Sequence, residues 1–365
     1  MQKRLYNLDG LRFLAAWIVL LCHIEVLKPF FGSEANKWRF FSNGAQLAVT
    51  FFFVLSGFLI AWLLLKEKKE NADQRINTWR FYKKRIFRIW PLYYLLLLLV
   101  FFVLRNSSLF SSLKETSDTG FPAYRFAGYM LFLPNTTEIN YGKEICLGQT
   151  WSLGVEEFFY LVFPLLISFT PAKKIRTVLF IILILFLVLS LSLRSGLIGI
   201  YLDRYRIYAF ASGGIAASFI VFPVSKENAV IRELKRKQTS IFLLLTTAIL
   251  VIMGMTLSFA TQQFYSILFA LTIFSLTVSG IRIGWLNHPL PVYLGKISYG
   301  IYMLHPLALI VLLNIWKPSS TSIITTIGIA LAGTILTILL AIISYECYEK
   351  FFLRWVRRSE KKDIT

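Results

Sequence analysis

Long apolar runs alternate with short polar ones almost from end to end of this chain. Ten runs approach the roughly 20 residues that cross a hydrocarbon core as a helix. They cover 9–28, 44–65, 86–104, 152–170, 177–193, 206–223, 240–259, 263–280, 292–314 and 322–345. The pattern predicts an all-α polytopic membrane bundle of about ten transmembrane helices. Residues 1–349 are read as one transmembrane domain and 350–365 as a short basic cytoplasmic tail. Ser212, Gly213 and Gly214 in the sixth run predict a close helix contact, because small side chains let backbones approach. No cleavage pattern of a secretory signal precedes the first run. The one long polar excursion is 105–150, rich in Ser and Thr, with four basic and four acidic residues. A connection of that length is expected to fold over a site.

Composition agrees with a membrane protein. Of 365 residues 56% are hydrophobic and 33 are Phe, against about 45–50% apolar residues in soluble domains. Mean hydropathy is +0.64. The net charge of +20 invites a nucleic-acid partner, but its distribution argues against one. The basic residues alternate by loop, as the positive-inside rule requires. The loops at 1–8, 66–88, 173–176, 226–237 and 282 and the tail hold 26 Lys and Arg, against 11 on the opposite side. Both termini are therefore expected in the cytoplasm. The charge reports topology, with some attraction to anionic membrane lipid. Three Cys and three His lack the spacing of a disulfide framework or a metal site, so no metal is expected. No phosphate-binding glycine loop, G-x-S-x-G elbow or internal repeat is present.

Polar residues inside the apolar runs carry the candidate chemistry. Arg12 and His23 share the first run with ten residues between them, so they fall on one helix stripe about 16 Å apart along the axis. An ionisable group at membrane depth costs at least ~2.5 kcal/mol and so points to function. The alternative is an Arg snorkelling to the interface and a His satisfied within the bundle. Trp151, Ser152 and Glu156 open the fourth run from outside. Glu156 is expected at the level of His23, where a carboxylate would fix the tautomer of an imidazole base. Glu156 and Glu157 can equally complement the helix N-terminus. Arg85 and Arg88, three apart at the inner interface, can grip a phosphorylated ligand or simply anchor the helix. The ninth run adds Lys296, Ser298, Tyr299, Tyr302 and His305. Pro306 frees a backbone carbonyl there.

These stretches resemble one family in its own order. Leu8-Asp9-Gly10-Leu11-Arg12 followed by His23 is similar to the Arg-x10-His signature of the membrane-bound acyltransferase-3 family. Phe52 to Ile60 resembles its second-span motif, which contains Ser56. Arg85-Ile86-Phe87-Arg88, with Pro91 and Tyr93 after it, resembles its Arg-x-x-Arg motif. Thr150 to Tyr160 resembles its Trp-Ser-Leu-x-x-Glu signature, and Gly295 to Pro306 its late Ser-Tyr-x-x-Tyr-x-x-His-Pro run. The likeness runs from Leu8 to about Glu349. It departs at Glu349-Lys350-Phe351, where the family often has Glu-Lys-Pro, so no role is assigned there. It further implies a stand-alone member without the soluble esterase-like domain that some members carry.

The resemblance implies transfer of an acyl group, most often acetyl, from cytoplasmic acyl-CoA to a hydroxyl of an envelope or extracellular glycan or a lipid-linked sugar. The chain would then be an integral protein of a bacterial cytoplasmic (inner) membrane. His23 and Glu156 become the catalytic candidates, with His23 as general base or transient acyl carrier. Arg12, Arg85 and Arg88 become the donor-binding candidates. Ser56, Trp151, Ser152, Tyr299 and His305 line the channel or contact substrate. A glycan transporter or exporter remains the alternative, since buried Arg, His and Glu also line transport pathways.

Overall fold

In hydrocarbon every backbone N–H and C=O must be satisfied within its own segment, so each apolar run closes into a helix. The structure, a computed structural model, describes residues 5–107, 123–141, 144, 146–225, 228–257, 260–316 and 323–362. Among the described residues the helices, with no strand, are α1 (Leu8–Leu27), α2 (Arg39–Glu70), α3 (Thr78–Leu98), α4 (Ala123–Met130), α5 (Pro134–Tyr141), α6 (Trp151–Phe169), α7 (Ala172–Ser192) and α8 (Gly196–Tyr205). They continue with α9 (Ile207–Val221), α10 (Ala229–Leu234), α11 (Lys237–Ile252), α12 (Thr261–Val278), α13 (Pro289–Lys296), α14 (Ser298–Trp316), α15 (Ile323–Ser344) and α16 (Lys350–Lys362).

Eight helices among the described residues are long and apolar enough to cross a membrane. The chain is an integral, polytopic helical membrane protein. The expected sixth and seventh spans are shorter: α9 has 15 residues and α11 has 16. At 1.5 Å per residue they reach about 22–24 Å, below a hydrocarbon core of about 30 Å. The expected ninth span is divided. The prolines at 289 and 291 begin the separate helix α13, and α14 starts only at Ser298. His305 is therefore eighth in its helix rather than deep within a longer one.

The chain forms two compact units. The first comprises residues 1–15, 38–78 and 159–296. Its centre is α9, packed against α2, α7 and α12 and buried along nearly its whole length. The glycines explain the closeness. A Cβ at Gly213 would lie 2.0 Å from the Val54 carbonyl, and one at Gly57 would lie 2.2 Å from that of Phe210. The close contact expected from Ser212-Gly213-Gly214 is thus present: Gly213 meets the α2 backbone at Val54 and Phe58, and Gly57 of the second-span motif meets Phe210 one turn earlier on α9. Gly213→Val should force α2 and α9 apart and cost about 1–3 kcal/mol. A fall in the detergent-resistant folded fraction, read by fluorescence-detected gel filtration, checks this. An unchanged melting profile would refute it.

The second unit comprises residues 16–37, 79–158 and 297–365. Here α14 packs on α15, and Leu20, Ile24, Leu309, Leu313 and Ile329 form a closed apolar cluster. Within the excursion 105–150, residues 123–141 form α4 and α5, while 108–122, 142, 143 and 145 lie outside the described residues, as do Lys3, Arg4, Lys226 and Lys317 of the charge pattern. Glu144, buried, holds Arg105 at 2.7 Å and Arg125 at 3.7 Å. Tyr129 and Cys146 are buried beside it, and burial raises the pKa of both, with nearby carboxylates adding to the shift. These contacts tie the described part of the excursion down.

The charge asymmetry gives a topology prediction. In a chain lacking the exposed Cys347, Tyr124→Cys should label from outside intact cells. Val230→Cys should label only after permeabilisation. Labelling of both from one face would refute the assigned orientation.

Candidate active site

Two imidazoles meet within the second unit. His23 on α1 and His305 on α14 place their rings 4.8 Å apart, centroid to centroid, with Nε2 of His305 3.2 Å from Nδ1 of His23. Both Nδ1 atoms also face backbone carbonyls: His23 that of Val19 at 2.9 Å and His305 that of Tyr302 at 2.7 Å. A carbonyl only accepts, so each Nδ1 carries the proton in these hydrogen bonds. His305 Nε2 is then an acceptor, and the single His23 Nδ1–H is shared between it and the Val19 carbonyl. In this tautomer the unprotonated nitrogen of His23 is Nε2.

The sequence explains why His305 is held so. Pro306 has no N–H, and its ring lies over the preceding turn, so the Tyr302 carbonyl loses its helical donor. The His305 side chain supplies the missing donor. The helix continues through Pro306 without interruption, and the freed carbonyl orients the imidazole instead of marking a break.

A separate hydrogen-bond network lies on the same stretch of α14. The Tyr302 hydroxyl donates to the Gln149 carbonyl at 3.0 Å and lies 2.7 Å from Ser152 Oγ. Gln149 Nε2 donates to the Met303 carbonyl at 2.9 Å. Gln149 Oε1 is buried without a hydrogen-bond partner. A buried unsatisfied acceptor costs about 1–3 kcal/mol. Trp151 and Ser152 are buried at the start of α6, and Glu156 is half-buried one turn on.

The basic end of α3 forms a second group. Arg85 and Arg88 are half-buried, with the Arg85 guanidinium 5.5 Å from the Phe81 ring. Trp90 Nε1 donates to Glu157 at 3.2 Å, and Glu157 interacts electrostatically with Arg85. Glu157 therefore does more than complement a helix N-terminus. Tyr299 donates to the Ile89 carbonyl at 2.7 Å, fixing α14 to α3 between Arg88 and Trp90. Glu349, to which the sequence assigned nothing, is buried in a π-type turn at Tyr345–Glu349. It accepts from Ser344 at 2.9 Å and interacts with Arg88. The signal that could have found it is a carboxylate at the end of the last apolar run; π-turns recur at functional sites.

Other expected residues lie elsewhere. Ser56 belongs to the first unit, where its hydroxyl is 3.5 Å from that of Tyr160. Arg12 is half-buried on the first-unit part of α1. Gly10 beside it serves a close approach, since a Cβ there would lie 2.6 Å from the Leu286 carbonyl. Beyond His23, α1 ends in a buried pair that sequence reasoning missed: Glu25 takes Lys28 Nζ at 2.7 Å and the Asn36 N–H at 2.7 Å. Among the described residues no cluster of three or more His, Cys, Asp or Glu is placed to hold a metal ion.

The described residues thus form an all-helical membrane bundle in which half-buried His23 meets buried His305 and basic residues gather at one end of α3. The chain belongs to the acyltransferase-domain family, whose model matches residues 5–346. It is similar to the O-acetyltransferase OatA of Staphylococcus aureus strain NCTC 8325 / PS 47, 26% identical over 369 residues, covering 95% of this chain and 57% of that protein. OatA of strain COL matches with the same figures. The chain thus spans a little over half the length of these curated relatives. No solved structure matches it.

Proposed function

We propose that the chain is a membrane O-acyltransferase that moves an acyl group, acetyl first, from cytoplasmic acyl-CoA to a hydroxyl of an envelope or extracellular glycan. The observation that carries this reading is the His23–His305 pair, in which each Nδ1 faces a backbone carbonyl and a proton on His23 Nδ1 makes Nε2 its basic nitrogen. Family membership and the name O-acetyltransferase borne by its relatives support the same chemistry.

His23 Nε2 takes the proton of the acceptor hydroxyl as its oxygen forms a bond to the thioester carbonyl carbon. The carbon–sulfur bond breaks, the sulfur leaves with the electron pair, and His23 returns the proton to it. His305 fixes the tautomer and the plane of His23. Glu156 orients the imidazole and supports its transient cation. Gln149 Oε1 and the Tyr302–Ser152 hydroxyls position the acceptor. Tyr299 keeps α14 registered against α3. Arg85 and Arg88 hold the donor phosphates, a task that suits two guanidinium groups on one helix face, and Arg12 stands three turns from His23 on the same α1 stripe.

The test is product analysis. Membranes containing the chain are given deuterated acetyl-CoA and candidate glycans, and the products are read by mass spectrometry. Label in an ester on the glycan is expected. A cell that lacks the protein, still exports its glycan and loses the ester agrees. Loss of the glycan itself from outside the cell would overturn the enzyme in favour of an exporter.

A further inference from the structure

The first unit holds a cavity that the acyl-transfer reading does not use. Its volume is about 300 Å³, and its walls include Tyr6, Trp62, Phe219, Ile220, Phe274 and Val278, with Lys235 among the lining residues. That volume is at the lower end for small-molecule sites. The walls come from the C-terminal ends of α2, α9 and α12 and from the segment before α1. The positive-inside rule puts these ends on the cytoplasmic side.

Three of the aromatic walls each carry a cation. The Arg282 guanidinium is 3.8 Å from the Tyr6 ring centroid and also bonds the Tyr6 hydroxyl. The Arg176 guanidinium is 4.0 Å from the Phe219 ring and bonds the Ser218 and Phe222 carbonyls. Lys66 Nζ is 5.5 Å from the Trp62 ring. Lys66 also faces Glu70 at 3.6 Å, an exposed pair of the weak kind. Lys69 adds a fourth charge, donating to the Val221 carbonyl at 2.8 Å.

The cavity is built in advance. Asn7, next to Tyr6, bonds the Asn287 side chain, the Ile281 carbonyl and the Ile283 N–H. That lock fixes Tyr6 and Arg282 together. Cations held over aromatic rings keep their charge at the edge of an apolar space. An occupant must therefore join an apolar chain to an anionic head. At the cytoplasmic interface the compound class with that chemistry is the anionic phospholipid, whose phosphate meets Lys and Arg at headgroup depth.

We propose that this cavity binds one acyl chain of an anionic phospholipid of the cytoplasmic leaflet, with the phosphate at Lys66, Lys235 and Arg282. The lipid fills the inner junction of α2, α9 and α12 and is not consumed. This inference rests on the first unit alone and stands whether or not His23 transfers an acyl group.

Native mass spectrometry of the detergent-purified full chain tests it, with equimolar phosphatidylglycerol and phosphatidylcholine. Wild type is expected to retain one phosphatidylglycerol per chain with about tenfold preference. The combined Lys66→Gln, Lys235→Gln and Arg282→Gln variant should bind both lipids alike. Ile220→Trp, which fills the cavity, should retain neither, and if it fails to fold the charge variant decides. Equal retention by wild type, an undiminished preference in the charge variant, or displacement of the lipid by coenzyme A would each overturn the proposal.

Discussion

His23→Ala is expected to abolish acyl transfer while the protein still inserts and still binds donor. Loss of a general base costs about 10²–10⁴-fold. The geometry makes the expectation specific. His23 Nδ1 faces the Val19 carbonyl and the His305 ring, so with the proton on Nδ1 it is Nε2 that acts as the base. Alanine removes that nitrogen and leaves His305 Nε2 without its donor. Glu156→Gln should give a smaller loss, because the size stays and only the charge goes. His288, exposed in the turn before α13, should be dispensable and serves as the control. Rates measured by mass spectrometry of the acetylated product, with coenzyme A binding measured alongside, separate chemistry from binding. Near-normal turnover by His23→Ala would sink the mechanism whatever the family.

The second large effect is expected at the donor. Arg85→Ala and Arg88→Ala should each weaken coenzyme A binding by about 1.5–3 kcal/mol if each makes a charge-assisted phosphate contact. The double variant should lose donor affinity while turnover of bound donor falls far less. That split is the opposite of the His23 result, so the two predictions check one another. Titration calorimetry of purified protein with coenzyme A reads it directly. Because Arg85 interacts with Glu157 and Arg88 with Glu349, insertion must be confirmed for each variant. Unchanged affinity in well-inserted protein would return these residues to anchoring α3 at the interface.

The missed contacts share a physical cause. Arg12 with His23, and Arg85 with Arg88, are legible because one helix fixes their spacing. Glu349 is a single carboxylate at the end of an apolar run, and nothing in its neighbours announces the π-turn that buries it. Gln149 lies just before α6, and its meeting with Met303 joins residues 154 apart in sequence. The Lys28–Glu25 pair looks in sequence like two interfacial charges, and only packing against Thr326 and Asn36 shows that both are buried.

What the sequence determined alone is the class and the rhythm of the chain. Apolar runs of spanning length have no alternative to helix in hydrocarbon, and loop charge alone set the expected orientation. It also presented Pro306 beside His305, and with it the freed carbonyl. Tertiary structure decided the rest. It enclosed the short α9 among α2, α7 and α12, where Gly213 and Gly57 each let the facing backbone come close. It brought His305 to His23 across 282 residues of chain. Helix periodicity fixes a side chain's face and height on its own helix and says nothing of which helix comes to stand opposite. That choice depends on the packing of every helix at once.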